Sequence, residues 1–156
     1  PIWDTKASGA WLGMRLSHNR NDLIRAAMEG TAYGMKQILK IAYERWGFKL
    51  DELLSVGGGS RNLLWTQIKA DILDVEYNIA KTSDAAAFGA AMIGATGSGF
   101  FCGINDPDLP ILRTEDLSFK PSQDKKTKAL YEQNYHIYES LYPVLKNTMH
   151  SLSDRK

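Results

Sequence analysis

Three consecutive glycines, Gly57, Gly58 and Gly59, separate an apolar run ending in Leu53-Leu54-Ser55-Val56 from the polar pair Ser60-Arg61 and an amphipathic stretch beginning at Asn62. Holding glycine in one conformation costs more backbone entropy than holding any other residue, and a plain turn needs only one or two of them. A third permits a ligand to touch bare main chain. A strand that ends in glycines and feeds a helix also directs backbone N–H groups outward, where unsatisfied donors and the positive end of the helix dipole favour an anion. In open α/β sheets such ligands sit beyond the carboxyl ends of the strands. The segment therefore suits a nucleotide or phosphate. It is not a P-loop, since G-x-x-x-x-G-K-[ST] is absent, and no G-x-G-x-x-G with a downstream acid marks a dinucleotide site. Spacing alone leaves a nucleotide site and a packing turn both open.

Few other residues offer chemistry. Cys102 is the single cysteine, so it has no internal disulfide partner and no second thiol for a metal. His18, His136 and His150 are far apart and lack ligand spacing, which gives them structural or surface roles and predicts no metal site. The run Lys125-Lys126-Thr127-Lys128 reads as a solvated helix face. A formal net charge of +1 sets up no strong field for nucleic acid or an anionic membrane. The lack of a signal-peptide pattern or long apolar span predicts a cytoplasmic location. With 156 residues, 44% hydrophobic and 24% charged, the chain reads as one soluble globular domain over 1–156. Its opening, "PIWDTKASG", reads as the interior of a longer polypeptide, so a fragment is expected.

Around the glycines the pattern alternates strands and helices. Ala10 to Leu16 ("AWLGMRL") reads as a short strand. A long helix, capped by Asn19 or Asn21, runs to Trp46 and stops at Gly47. Ala26, Gly30 and Gly34 recur on it at four-residue spacing and admit a close neighbour. Leu50–Val56 is a second strand, Asn62–Leu73 a helix, and Val75–Ile79 a third strand. Ser83 or Asp84 caps an alanine- and glycine-rich helix whose small residues predict deep burial against a sheet. Asn105–Ser122 holds Pro107, Pro110 and Pro121 and reads as a surface loop. A last helix starts from Ser122 or Asp124. Tyr131, Tyr135, Tyr138, Leu141, Tyr142 and Leu145 form its stripe, a core or interface face, and Pro143 is expected to kink it. The order of elements predicts an α/β domain with parallel pairing after the second strand.

Four segments, in order, resemble one family. "GAWLGMRLSHNRNDLIRAAMEG" (Gly9 to Gly30) is similar to the C-terminal signature of the FGGY carbohydrate kinases. Gly9, Trp11, Gly13, Met14, Asp22, Leu23, Ala26, Ala27, Met28 and Glu29 fill that signature in register. "GGGSRNLLWTQIKADIL" resembles the family's adenosine loop. Its Trp65, Gln67, Ala70 and Asp71 lean to the xylulokinase-like branch. "SDAAAFGAAMIGA" resembles the helix that follows, with Phe88 where leucine is usual, and "YESLYPVLK" resembles the C-terminal helix.

The resemblance implies an actin-like, ribonuclease H-like ATPase fold, a mixed sheet flanked by helices. This chain would be the later part of the C-terminal, ATP-binding domain. It implies ATP and Mg2+ as cofactors, Gly57 serving the turn, Gly58 and Gly59 against ribose and phosphate, and Asn62 reaching adenine. A competing role for Asn62 is to cap the helix after the glycines, and Asp84 reads as a cap rather than a magnesium ligand. Ser60, Arg61, Asp71 and Glu29 read as capping, surface or salt-bridge residues, and Gly89 as a close-packing position behind the nucleotide. The implied activity is ATP-dependent phosphorylation of a ketopentose such as xylulose, or a related polyol, by the full-length kinase. The family's base is an aspartate upstream of the segment matching Pro1, and its sugar is bound mainly by the N-terminal domain. This chain thus carries no catalytic residue and is expected to be inactive alone. "AWLGMRL" matches the third strand of an antiparallel meander, and without the first two its edge is bare. Self-association or pairing with the missing domain follows, and a strictly monomeric mass at high concentration counts against it. Two alternatives stand beside this reading, a ribulo-, fuculo- or glycerol kinase-like enzyme and a non-catalytic nucleotide-binding module.

Overall fold

Asn19 starts the first helix, α1 (Arg20–Trp46). Its side chain accepts the Asn21 N–H at 2.8 Å while Asp22 reaches back to the Asn19 N–H at 2.8 Å, a reciprocal cap. Gly47 ends the helix in the left-handed region at φ 65°, with its N–H on the Tyr43 carbonyl. The computed structural model describes residues 2–82, 84–103, 105–110 and 114–154. The chain divides into two compact units, one of Pro1–Lys49, Asp71–Asp74 and Pro121–Lys156, the other of Leu50–Ala70 and Val75–Lys120. None of the helices, among the described residues, is long and apolar enough to cross a membrane.

In the first unit α1 packs on the last helix, α4 (Lys125–Ser153), which Asp124 caps by accepting the Lys126 and Thr127 N–H groups. The aromatic stripe is the packing face. Tyr131 and Tyr135 are buried, and Tyr33 of α1 stacks between Tyr135 and Tyr138 at centroid distances of 6.2 and 5.5 Å. Of the two glycines on α1, Gly34 is the one with a close neighbour, since a Cβ there would lie 3.4 Å from the Tyr138 hydroxyl while one at Gly30 would meet nothing within 4 Å. Lys40–Glu139 at 2.7 Å and Lys36–Glu132 flank the seam. Asp71 accepts the Ser122 N–H at 2.8 Å, a structural acid as expected. α4 continues through Pro143.

Asp4 anchors the segment before α1. Its carboxylate accepts Tyr142 Oη at 2.7 Å and faces His150 Nε2 at 2.7 Å, while its other oxygen takes the Lys6 N–H at 3.0 Å. The hydrogen bond from Tyr142, then those from His150 and Lys6, hold the Asp4 carboxyl well below the usual carboxylate range. A carboxyl depressed on folding stabilises the fold above its unfolded value near 3.8, and that contribution fades as pH falls toward the folded value. Asp4→Asn should therefore unfold at lower urea than the native chain at pH 7, with the gap narrowing once pH drops below 3.8. Urea midpoints at pH 7, 4 and 3 measure it, and a constant gap contradicts the assignment.

The second unit holds a sheet of order β1-β2-β3, with β1 (Glu52–Ser55), β2 (Glu76–Ala80) and β3 (Thr114–Phe119). β1 and β2 are parallel, Leu53 opposite Tyr77 and Ser55 opposite Ile79. The helix between them, α2 (Leu63–Leu73), makes the β-α-β crossover that parallel pairing requires. β2 lies centrally, with Tyr77, Ile79 and Ala80 enclosed. Ile68 and Ala70 of α2 are enclosed as well.

Three expectations are corrected. Residues 10–16 form no strand: Gly13 takes φ 75°, the Arg15 N–H goes to His18 Nδ1 at 3.1 Å, and Trp11 Nε1 donates to the Leu23 carbonyl. A strand exists only against a ladder partner, and among the described residues none runs beside this segment. Nor is the alanine-rich helix α3 (Ala85–Gly97) deeply buried. None of its residues is buried and Ile93 is 77% exposed. Small side chains permit close approach but cannot supply the facing surface. Finally, part of the expected loop 105–122 is β3, antiparallel to β2 with Tyr77 opposite Phe119. Pro110 and Pro121 flank that strand rather than interrupt it. Of the two candidate caps for α3, Ser83 lies outside the described residues, and Asp84 accepts the Ala87 N–H at 2.9 Å.

Candidate functional site

β1 ends at Ser55, and the chain turns at Gly57, whose φ of 84° and ψ of 178° belong to glycine. A short 3₁₀ turn, Gly58–Arg61, follows. Ser60 closes it twice on one carbonyl: its N–H donates to Gly57 O at 3.1 Å and its hydroxyl to the same oxygen at 2.7 Å. Ser60 is buried rather than on the surface, its hydroxyl spent on closing the turn. Thr66, fully buried, donates its hydroxyl to the Asn62 carbonyl at 3.1 Å and so ties α2 back to the turn.

The glycines and Asn62 form one continuous turn at the carboxyl end of β1. They differ in surroundings. A Cβ at Gly58 would meet nothing within 4 Å, and Gly58 is exposed. A Cβ at Gly57 is equally unhindered, so its constraint is backbone conformation alone. At Gly59 a Cβ would come within 3.3 Å of Trp65 Cζ3. Asn62 is exposed and its Oδ1 accepts the Trp65 N–H at 3.0 Å, which makes it the helix cap. Its amide NH2, two further donors, points to no role in that cap. The turn thus offers open main chain at Gly57 and Gly58, the donors of an exposed amide, and the start of an 11-residue helix. This fits the ribose and base of a nucleotide. Gly89 does not close-pack as expected, since a Cβ there meets nothing within 4 Å.

The contact between two residues beside the turn, Trp65 and Lys69, escaped sequence reasoning. Lys69 sets its Nζ 3.9 Å from the centre of the Trp65 ring, and burial pushes its pKa down. Their signal is an aromatic and a lysine four apart on a helix, ordinarily a packing pair.

Among the described residues no group of three or more His, Cys, Asp or Glu side chains could hold a metal ion. The donor set here does not fit a protein-ligated magnesium. An apolar groove of about 470 Å³ lies along α1 and α4, lined by Ala27, Gly30, Gly34, Gln37, Tyr138 and Leu145. Among the described residues its lining holds no lysine, arginine or histidine to meet a phosphate, and its one carboxylate, Glu139, is engaged by Lys40.

Residues 1–98 match the FGGY family of carbohydrate kinases, C-terminal domain. That stretch contains α1, the glycine turn, α2, β2 and α3. The xylulose kinase of Staphylococcus epidermidis is 31% identical over 146 residues, 94% of this chain and 29% of that protein. The glycerol kinase of a Vibrio cholerae strain is 34% identical over 128 residues, 82% of the chain and 25% of that protein. In structure the xylulose kinase from Rhodospirillum rubrum superposes with a TM-score of 0.73 at 27% identity, over 92% of this chain and 28% of that one. The chain therefore spans less than a third of the length of these relatives. The mixed sheet with flanking helices is part of the actin-like ATPase fold of these kinases. On family match, extent of identity and shared fold together, the chain belongs to the FGGY family of carbohydrate kinases.

Proposed function

We propose that residues 1–156 are the later part of the ATP-binding domain of an FGGY kinase, and that adenosine rests on Gly57, Gly58 and Gly59 with Asn62 donating to the base. The open, exposed Gly58 at the centre of this turn, in a chain of this family, is the observation that carries the reading. Capping does not compete with base recognition, because Asn62 uses Oδ1 for the helix and keeps its NH2 donors.

The whole enzyme is proposed to phosphorylate a ketopentose such as xylulose, or a related polyol, with ATP and Mg2+. A base removes the proton of the sugar hydroxyl, its oxygen attacks the γ-phosphorus, and the bond to the bridging oxygen breaks to release ADP. Magnesium supplies charge neutralisation at the phosphates. This chain's share is to hold and orient the nucleoside end, with no residue cast as base, so it is proposed to be inactive alone. The ketopentose is proposed from the wider xylulose kinase alignment, 94% of the chain at 31% identity, beside 82% at 34% for the glycerol kinase. The exposed α3 supports association with the rest of a kinase polypeptide or with a second copy. A cytoplasmic location is part of the same proposal.

ADP titration by calorimetry tests the nucleotide site. A Cβ at position 58 meets nothing within 4 Å, so Gly58→Val should change the unfolding midpoint little and weaken ADP binding by about tenfold or more. Equal binding by both proteins removes the turn from the site.

A further inference from the structure

Gly59 differs from its neighbours in having something to touch. The indole of Trp65 fills the place where its side chain would be, with Cζ3 at 3.3 Å and Cε3 at 3.9 Å from a Cβ built there. The same residue reaches the other end of the turn through its backbone, since the Trp65 N–H is the one that Asn62 Oδ1 accepts. One residue therefore contacts both Gly59 and Asn62. Beyond the indole lies Lys69, 9% exposed, with its ammonium 3.9 Å from the ring centre. Among the described residues the structure records no ion pair for Lys69, and the ring face is its counterpart.

Resting on the reading of this turn as the adenosine site, we infer that Trp65 is a positioning residue, which fixes the glycine main chain for the nucleotide, and that Lys69 holds its indole in place. The reason is entropic. Bare main chain binds well only when it is already in one conformation, and consecutive glycines hold themselves least well of all residues. The single-carbonyl closure by Ser60 fixes the start of the turn at Gly57 and leaves Gly59 to the indole. A flat, stiff ring with two torsions supplies that order at small entropic cost of its own. Lowered basicity at Lys69 accords with its enclosure beside the ring.

The test compares the native chain with Trp65→Leu, Trp65→Phe and Gly59→Ala by two readouts: ADP affinity, and amide hydrogen exchange over 58–62 without nucleotide. Trp65→Leu should bind ADP about tenfold or more weakly and exchange faster across the turn, while Trp65→Phe, which keeps a ring, should stay within about threefold. Gly59→Ala sets a methyl 3.3 Å from the ring, so the indole must give by a few tenths of an ångström and exchange over the turn should change. If Trp65→Leu fails to fold, Gly59→Ala carries the exchange test, and native exchange there overturns the inference. So does native ADP affinity in Trp65→Leu. The two failures are distinguishable: a native chain that does not bind ADP defeats the adenosine reading and this inference together. A native chain that binds, with Trp65 variants that bind equally, defeats this inference alone.

Discussion

Ile68→Ala lowers the free energy of unfolding by about 2–4 kcal/mol, whereas Ile93→Ala changes it by less than about 0.5 kcal/mol. Both isoleucines lie on helices, and their surroundings set the difference. Ile68 is 1% exposed on α2, in the unit whose sheet buries Tyr77, Ile79 and Ala80, and truncation there loses transfer free energy and leaves a cavity. Ile93 is 77% exposed on α3 and has little burial to lose. Urea midpoints at constant slope measure both, and a costly Ile93→Ala would mean that α3 is covered in solution. The contrast therefore also tests the corrected burial of α3, whose composition reads as core while its surroundings do not.

That correction marks where the sequence stopped being informative. Local signals survived folding intact: Asn19 caps α1, Gly47 stops it, Asp124 caps α4, and the tyrosine stripe forms the α1–α4 seam. Each is decided within a few residues or by helical spacing. Residues 10–16 read as a short strand bounded by Gly9 and Ser17, yet pairing depends on a neighbour that no local pattern encodes, and the Arg15 N–H found His18 instead. β3 was hidden for the opposite reason. Its own residues are unremarkable as a strand, TEDLSF, and the prolines around it spoke for a loop. The glycine turn was legible as a turn, because glycines between a strand pattern and a helix pattern mark the break between them. The unequal roles of those glycines were not, since they depend on where Trp65 puts its ring.

The sharpest separation of roles is expected between adjacent glycines. Gly57→Ala should cost about 1–3 kcal/mol of stability, because φ 84° with ψ 178° is a region that residues with a Cβ hardly occupy. No steric contact contributes, as a Cβ there meets nothing within 4 Å, so the whole penalty is backbone strain. Relief requires rotating the Gly57 peptide, which moves the carbonyl that holds both the Ser60 N–H and its hydroxyl. Strain and turn closure are thus coupled, and the variant either carries the strain or loses the 3₁₀ turn. Gly58→Ala, by contrast, has open space and no left-handed φ, so its stability should match the native chain within about 0.5 kcal/mol. Its methyl stands on the face proposed for adenosine, and its loss should be in ADP affinity. One substitution is read by denaturation and its neighbour by titration. A Gly57→Ala chain as stable as the native one would show that the turn does not hold this conformation in solution, and a nucleotide site built from it could not then stand on Gly58.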